Sequence, residues 1–181
     1  MTKIIGLSGW ARSGKDSIAD YLVQNHGYTK ISFASPMKEA LVLLDPQVLY
    51  HNTRIHLATA VRVVGWENLK DGSTDARELL QRMGTEVGRN LFGENFWVNL
   101  ALEKAKHHDK VVISDCRFIN EIEAIKNSGG SVWRINRENV TAVNNHISET
   151  ELNNYKFDIS ISNNETLESL YALVEKELAN V

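Results

Sequence analysis

The stretch Gly9-Trp10-Ala11-Arg12-Ser13-Gly14-Lys15-Asp16-Ser17 constrains the fold of this chain more than any other part of it. An apolar run with Ile4, Ile5 and Leu7 leads into it, and an amphipathic segment with Ile18, Ala19, Tyr21 and Leu22 follows. The pattern G-x-x-x-x-G-K therefore stands between a predicted strand and a predicted helix, the setting it needs to carry meaning. Glycines let successive backbone N–H groups converge on an oxyanion, and the helix start adds partial positive charge. Lys15 places an ammonium where the β and γ groups of a polyphosphate lie. The position after the lysine departs from the pattern, with Asp16 where Ser or Thr usually meets Mg²⁺ and Ser17 one residue later. Ser17 cannot simply substitute, because one helical step rotates a side chain by about 100°. A carboxylate beside phosphates calls for a cation between them, so Asp16 is read as touching Mg²⁺ directly or through water. The plainer alternative is an acid that only stabilises the helix start.

At 181 residues the chain fits one domain, with room for a small inserted lobe. Its 20 Lys and Arg against 23 Asp and Glu leave a net charge of −3, which carries no nucleic-acid footprint. The single cysteine, Cys116, excludes an intrachain disulfide framework and suits a reducing compartment. No apolar run approaches the roughly 20 residues of a membrane span, and the first one is too short for a secretory signal. A cytoplasmic globular enzyme is expected.

Along the chain, 28–34 alternate as a second strand, and Ser35-Pro36 opens a helix holding Leu41, Leu43 and Leu44. Lys38 in its first turn is either solvated or a phosphate contact. Residues 45–73 show helical spacing over 55–64 but no strand-like alternation, and are placed in a helical insertion outside the main sheet. Arg54, Arg62 and Lys70 there read as surface charges. A further helix starts near Asp75, with Leu79, Leu80, Met83, Val87 and Leu91 as its buried stripe. Arg77, Gln81, Gly84 and Gly88 recur along the adjoining side, flanked by Arg82, Thr85 and Arg89. Two interior glycines cost about 1 kcal/mol each relative to alanine, so something approaches the backbone closely there. A ligand face explains the guanidinium and amide on the same line; a close helix crossing explains the glycines equally well.

The helix 95–105 holds Trp97, and the strand 110–114 ends at Asp115-Cys116-Arg117. An acid at the carboxyl end of such a strand suits Mg²⁺ or its waters, with capping of the helix 118–126 as the alternative. Arg117 and Glu121 are four apart and can pair. Trp133 and Ile135 are core candidates in the strand 131–136, and Arg137 follows at the entrance to a polar connection. His146 lies in that connection without a second histidine at metal spacing, so zinc is excluded. The strand around Phe157, Ile159 and Ile161 leads to a last helix, capped by Asn164, with Leu167, Leu170, Tyr171, Val174 and Leu178 facing inward.

Strand, phosphate loop, helix and further β/α alternation specify an α/β sheet of the P-loop kind. Five separated motifs narrow it: Gly-x-x-Arg-Ser-Gly-Lys-Asp-Ser, then Arg-x-Leu-Leu-Gln-x-x-Gly-Thr-Glu over 77–86, Phe-Trp-Val, Asp-x-Arg, and His-Ile-Ser-Glu over 146–149. In this order they resemble the phage-type deoxynucleoside monophosphate kinases of the P-loop nucleoside monophosphate kinase superfamily, from Lys3 into the final helix and least between 45 and 71. The resemblance implies a parallel five-stranded sheet flanked by helices, a helical monophosphate-binding region over about 45–95 and a lid over about 137–155. It implies transfer of the γ-phosphoryl of ATP to a deoxynucleoside 5′-monophosphate, in a host cytoplasm if phage-encoded, and is compatible with a homodimer. Gly9, Ala11, Arg12, Ser13, Gly14, Lys15, Asp16 and Ser17 then hold the ATP phosphates. Arg77, Gln81, Gly84, Trp97, Asp115, Arg117 and Glu121 look like the monophosphate pocket, with Lys38 and Arg89 as further substrate contacts. Ala11 replaces a basic side chain of other members, a contact that is absent here or supplied by Arg12 or a lid arginine. Phosphoryl transfer needs alignment and charge neutralisation more than covalent help. Lys15, Arg12, Asp115 and Arg137 are therefore the catalytic candidates, with Mg²⁺ near Asp16 and Asp115. The competing expectations are a P-loop kinase for another acceptor, of the dephospho-coenzyme A or phosphomevalonate type, and a nucleotide-binding regulator that transfers nothing.

Overall fold

The structure is a computed structural model that describes residues 2–138, 140, 151–152 and 154–179. Two compact units arise from the chain: Met1–Phe33 with Ala101–Val181, and Ala34–Leu100.

The first unit is a fully parallel five-stranded sheet in the order β2-β5-β1-β6-β7. Its strands are β1 (Lys3–Ser8), β2 (Thr29–Ile31), β5 (Lys110–Cys116), β6 (Ser131–Asn136) and β7 (Ile159–Ser162). Parallel strands covered on both faces read as near-continuous apolar runs, and Val111, Val112 and Ile113 in β5 are fully buried accordingly. Helices α1 (Lys15–His26) and α7 (Leu167–Leu178) bury Ile18, Leu22, Leu170 and Val174 against Leu7, Trp133, Ile135 and Ile161. Helix α6 (Ile119–Asn127) packs on the opposite face, where Ile125 meets β1 and β6. The predicted five-stranded parallel sheet is what forms. Two details differ. Thr166, not Asn164, caps α7 by accepting from the Ser169 N–H, while Asn164 Oδ1 accepts from the Glu138 N–H at 2.8 Å. Leu167 is half exposed because it precedes the first turn that meets the sheet.

The second unit begins at Ala34 rather than near 45, because α2 (Ser35–Leu44) contributes Leu41 to its core beside Val48, Leu57, Ala60, Leu69 and Ala76. The expectation of a purely helical insertion is wrong: β3 (Gln47–Tyr50) and β4 (Thr53–His56) form an antiparallel hairpin. Its turn residues His51 and Asn52 have φ of 43° and 64°, the two positive values of a turn that follows strand twist. The alternation of Val48 and Tyr50, closed by Asn52, was the available signal. Helix α3 (Leu57–Gly72) breaks at Gly65, and α4 (Thr74–Arg82) is capped by the Ser73 hydroxyl. Beyond α4 the chain does not continue as an α-helix but widens into a π-helix over Met83–Leu91. Hydrogen bonds reaching five residues back rotate the later side chains away from a 3.6-residue period. Val87 and Leu91, predicted on the buried stripe, are accordingly exposed. Helix α5 (Phe96–Ala105) follows, its last residues belonging to the first unit.

Candidate phosphate site

The loop 9–14 leaves β1 and enters α1 through three left-handed or related conformations, Gly9 at φ 149°, Arg12 at 63° and Gly14 at 106°. A side chain at Gly14 would be strained by that φ, and its Cβ would overlap the Asn163 amide. Asn163 in turn donates from Nδ2 to the Ser13 carbonyl at 2.8 Å and so ties the loop to the end of β7. Gly14 offers α1 no side-chain cap, which leaves the first N–H groups of the helix for a ligand. Arg12 holds an unfavourable conformation for a residue with a side chain, a strain that the surrounding bonds impose.

Lys15 folds back over this loop, donating from Nζ to the carbonyls of Gly9 and Trp10 at 2.6 Å each. Ser13 is buried and its Oγ lies 3.5 Å from the same ammonium. Arg137, just past β6, donates from Nη1 to the Arg12 carbonyl at 3.4 Å. Arg137 and Lys15 thus both bond to carbonyls of the loop, while the Arg12 side chain is exposed. A helix start with uncapped N–H groups and a lysine folded over its loop suit a polyphosphate in charge.

The carboxylates behave differently from one another. Asp115 sits at the mouth of β5, where Oδ1 accepts from the Phe33 N–H at 2.8 Å and Oδ2 from the Ser32 hydroxyl at 2.9 Å. A carboxylate at the carboxyl end of a parallel strand, in the same unit as the phosphate loop, suits a Mg²⁺ ion that retains most of its waters. Asp16 instead pairs with Lys30 at 2.9 Å, and the same ammonium reaches Asp20 at 3.0 Å. Asp16 is thus the first-turn acid of α1 and pairs with a lysine of β2. No group of three or more His, Cys, Asp or Glu stands together among the described residues, so the metal would rest on phosphate oxygens, water and Asp115.

Glu121 caps α6: its buried Oε2 accepts from the backbone N–H groups of Arg117 (2.7 Å) and Phe118 (3.1 Å). The expected capping at this turn comes from Glu121, not from Asp115, and Glu121 is a structural residue of the turn that presents Arg117. Burial pushes the Cys116 thiol well above its ordinary pKa, which makes it an inert core group.

In the second unit the glycine line has a different occupant from the one favoured on sequence. A Cβ on Gly88 would overlap the Trp97 indole, and Trp97 Nε1 donates to the Gly84 carbonyl at 3.0 Å. The close approach is a helix–helix contact made by Trp97, and the indole is almost fully buried in it. Arg77 binds Asp71 at 2.8 Å and donates from Nε to the Lys70 carbonyl. Gln81 is exposed, Arg89 is partly buried, and Lys38 lies 5.9 Å from the Trp66 ring centroid. His146 and Glu149, with most of the expected lid, lie outside the described residues. Sequence reasoning missed Asn163 and Ser32, whose only signal was a polar residue beside a strand end.

A family model described as deoxynucleotide monophosphate kinase matches residues 3–57 and 47–174. A putative deoxynucleotide monophosphate kinase of Acanthamoeba polyphaga mimivirus is 33% identical over 195 residues, spanning 94% of this chain and 93% of that protein. The deoxynucleotide monophosphate kinase of Escherichia phage RB69 is 27% identical over 242 residues, spanning 97% and 99%. Among solved structures, a gluconokinase from Sinorhizobium meliloti 1021 has a TM-score of 0.53 at 12% identity, covering 99% of this chain and 92% of that one, a likeness of fold alone. No helix among the described residues is long and apolar enough to cross a membrane.

Proposed function

This chain belongs to the deoxynucleotide monophosphate kinase family, and from that premise we propose how its residues phosphorylate a deoxynucleoside 5′-monophosphate with ATP as donor. The enzyme is a phosphotransferase that converts deoxynucleoside monophosphates to diphosphates. The ATP phosphates lie on the amides of 9–15, with Lys15 on the β and γ oxygens and Arg12 and Arg137 on the group in transit. An oxygen of the acceptor phosphate attacks the γ-phosphorus; the bond to the β–γ bridging oxygen breaks, and ADP leaves. No general base is required, because that phosphate is largely dianionic near pH 7. Mg²⁺, when bound, neutralises charge on the donor oxygens, and Asp115 holds its water shell. Arg117, presented by the Glu121-capped turn, is assigned to the acceptor phosphate. Arg77, Gln81 and Arg89 of the second unit are assigned to the acceptor nucleotide, and Trp97 is retained there as a wall rather than a stacking surface. The phage and virus sources of the relatives support the host cytoplasm as the place of action.

The observation that carries this reading is a loop whose helix start has no side-chain cap and onto whose carbonyls Lys15 and Arg137 fold. A panel of common ribo- and deoxyribonucleoside monophosphates with ATP tests it through ADP release. Release that depends on a deoxynucleoside monophosphate is the expected result. Equal release with and without acceptor, or a response only to a non-nucleotide phosphate ester, would overturn it.

A further inference from the structure

The first unit holds a second cationic cluster that the phosphate loop does not use. Arg134 stands on β6 directly across from Ser8 of β1 and donates to its hydroxyl at a long 3.4 Å. Its guanidinium carbon lies 5.5 Å from the ring centroids of both Trp10 and Phe157. Burial alone lowers its pKa, so no carboxylate among the described residues compensates its charge. An arginine does not deprotonate in response, and among the described residues its half-buried charge is supported by two π faces and one long bond to a hydroxyl. Such a charge is costly unless something anionic completes it.

A second observation falls on the same ring. The Trp10 indole N–H is buried and has no acceptor among the described residues. Trp10, Arg134 and Phe157 line an open cleft of about 600 Å³ with Tyr155, Lys156 and Asn136, and among the described residues no acidic one lines it. A small hollow shared with Trp10 and Arg134 continues to Gly9 and Arg117. Aromatic walls favour a planar ring, while a guanidinium without a carboxylate partner among the described residues and an ammonium favour an anion. The guanidinium fork matches phosphate oxygens in pairs.

We propose that this cleft binds a nucleoside monophosphate, with phosphate oxygens on Arg134 and the base against Trp10 and Phe157. The inference rests on the reading that the chain handles deoxynucleotides, and it adds a contact residue, Arg134, outside the loop motifs. The bound nucleotide is either the acceptor on its way to transfer or a second, non-reacting monophosphate; the chemistry is shared and the test separates them.

Arg134→Ala, Arg134→Lys and Trp10→Phe are compared with the wild type by calorimetric titration with dGMP and dTMP, and by steady-state kinetics. Removing a hydrogen bond to a charged group lowers affinity by about 10–150-fold. Arg134→Ala is therefore expected to weaken monophosphate binding at least tenfold, with Arg134→Lys intermediate and Trp10→Phe smaller. A matching rise in KM for the monophosphate with KM for ATP unchanged identifies the acceptor. Loss of one of two calorimetric binding events at unchanged KM identifies a separate regulatory nucleotide. Unchanged binding in Arg134→Ala and Arg134→Lys, with only the melting temperature lowered, overturns the proposal, as does a rise confined to KM for ATP. Should the wild type bind these monophosphates without phosphorylating any, the functional reading fails while calorimetry still decides the cleft.

Discussion

The two units of this chain present their polar groups in opposite ways. In the first unit the groups around the phosphate loop are largely main chain. A loop of fixed conformation, tied by Asn163 and bridged by Lys15, presents amides whose position follows from φ and ψ. In the second unit the groups are long side chains on helices, and their direction depends on helical phase. That phase changes at Met83, where the helix turns from α to π. The first unit encloses a core spanning four strands and two helices, whereas the second buries a small cluster and leaves Leu43, Val63, Leu91 and Phe92 exposed. A backbone site can be recognised from spacing, because few sequences permit its conformations. A side-chain site on a helix of changing pitch cannot.

This contrast is open to breakage, and the largest effect belongs to the main-chain site. Lys15→Ala should lower kcat by about 10²–10³, the loss typical of removing one preorganised charge-stabilising donor. Circular dichroism should show the fold retained; a variant that kept its turnover would mean that amides alone suffice. Next in size is Gly88→Ala, which inserts a methyl against the Trp97 indole and should destabilise the enzyme by about 1–3 kcal/mol in urea unfolding. Unchanged stability with a raised KM for the monophosphate would instead make the glycine seat a ligand surface, and the contrast between units would weaken.

Arg77→Ala should raise KM for the monophosphate while altering stability by less than about 1 kcal/mol, since its pair with Asp71 is solvent-exposed. Stability loss without a KM change would reduce Arg77 to a fastening between α3 and α4. The smallest effect tests the first unit away from its site. The Tyr21 hydroxyl, and after it His26, hold the Glu175 carboxyl below its ordinary pKa. A depressed carboxylate stabilises the fold above its unfolded-state pKa, and the gain is lost as pH falls through the folded one. The melting-temperature advantage of wild type over Glu175→Gln should therefore be present at neutral pH and shrink below about pH 4.5.

Most of the sheet was legible because buried parallel strands are plain apolar runs and the phosphate loop has a recognisable grammar. Trp133 and Ile135 fell in the core as their alternation requires. Lys15 was legible as the lysine of the loop, though its bonds to the Gly9 and Trp10 carbonyls and that of Arg137 to the Arg12 carbonyl were not. The hairpin of β3 and β4 escaped because its strands are short and its turn uses His51-Asn52 instead of a glycine pair. The pairing of Asp16 was not legible because its partner Lys30 lies on β2, and no local spacing reports a pairing across β2 and α1. The glycine line was read from a 3.6-residue period, which correctly showed that something comes close but not what.

By itself the sequence determined the kind of ligand: a glycine-bounded loop opening a helix, followed by lysine, binds phosphate through constraints internal to a few adjacent residues. Where the side chains around it went was decided by the tertiary structure. Packing sent Trp97 into the glycine seat, Lys30 to Asp16, Glu121 under the α6 turn, and Arg134 to a place with no carboxylate partner among the described residues. Those outcomes depend on contacts between residues far apart in the chain, and their energies exist only once the sheet and helices have assembled around them.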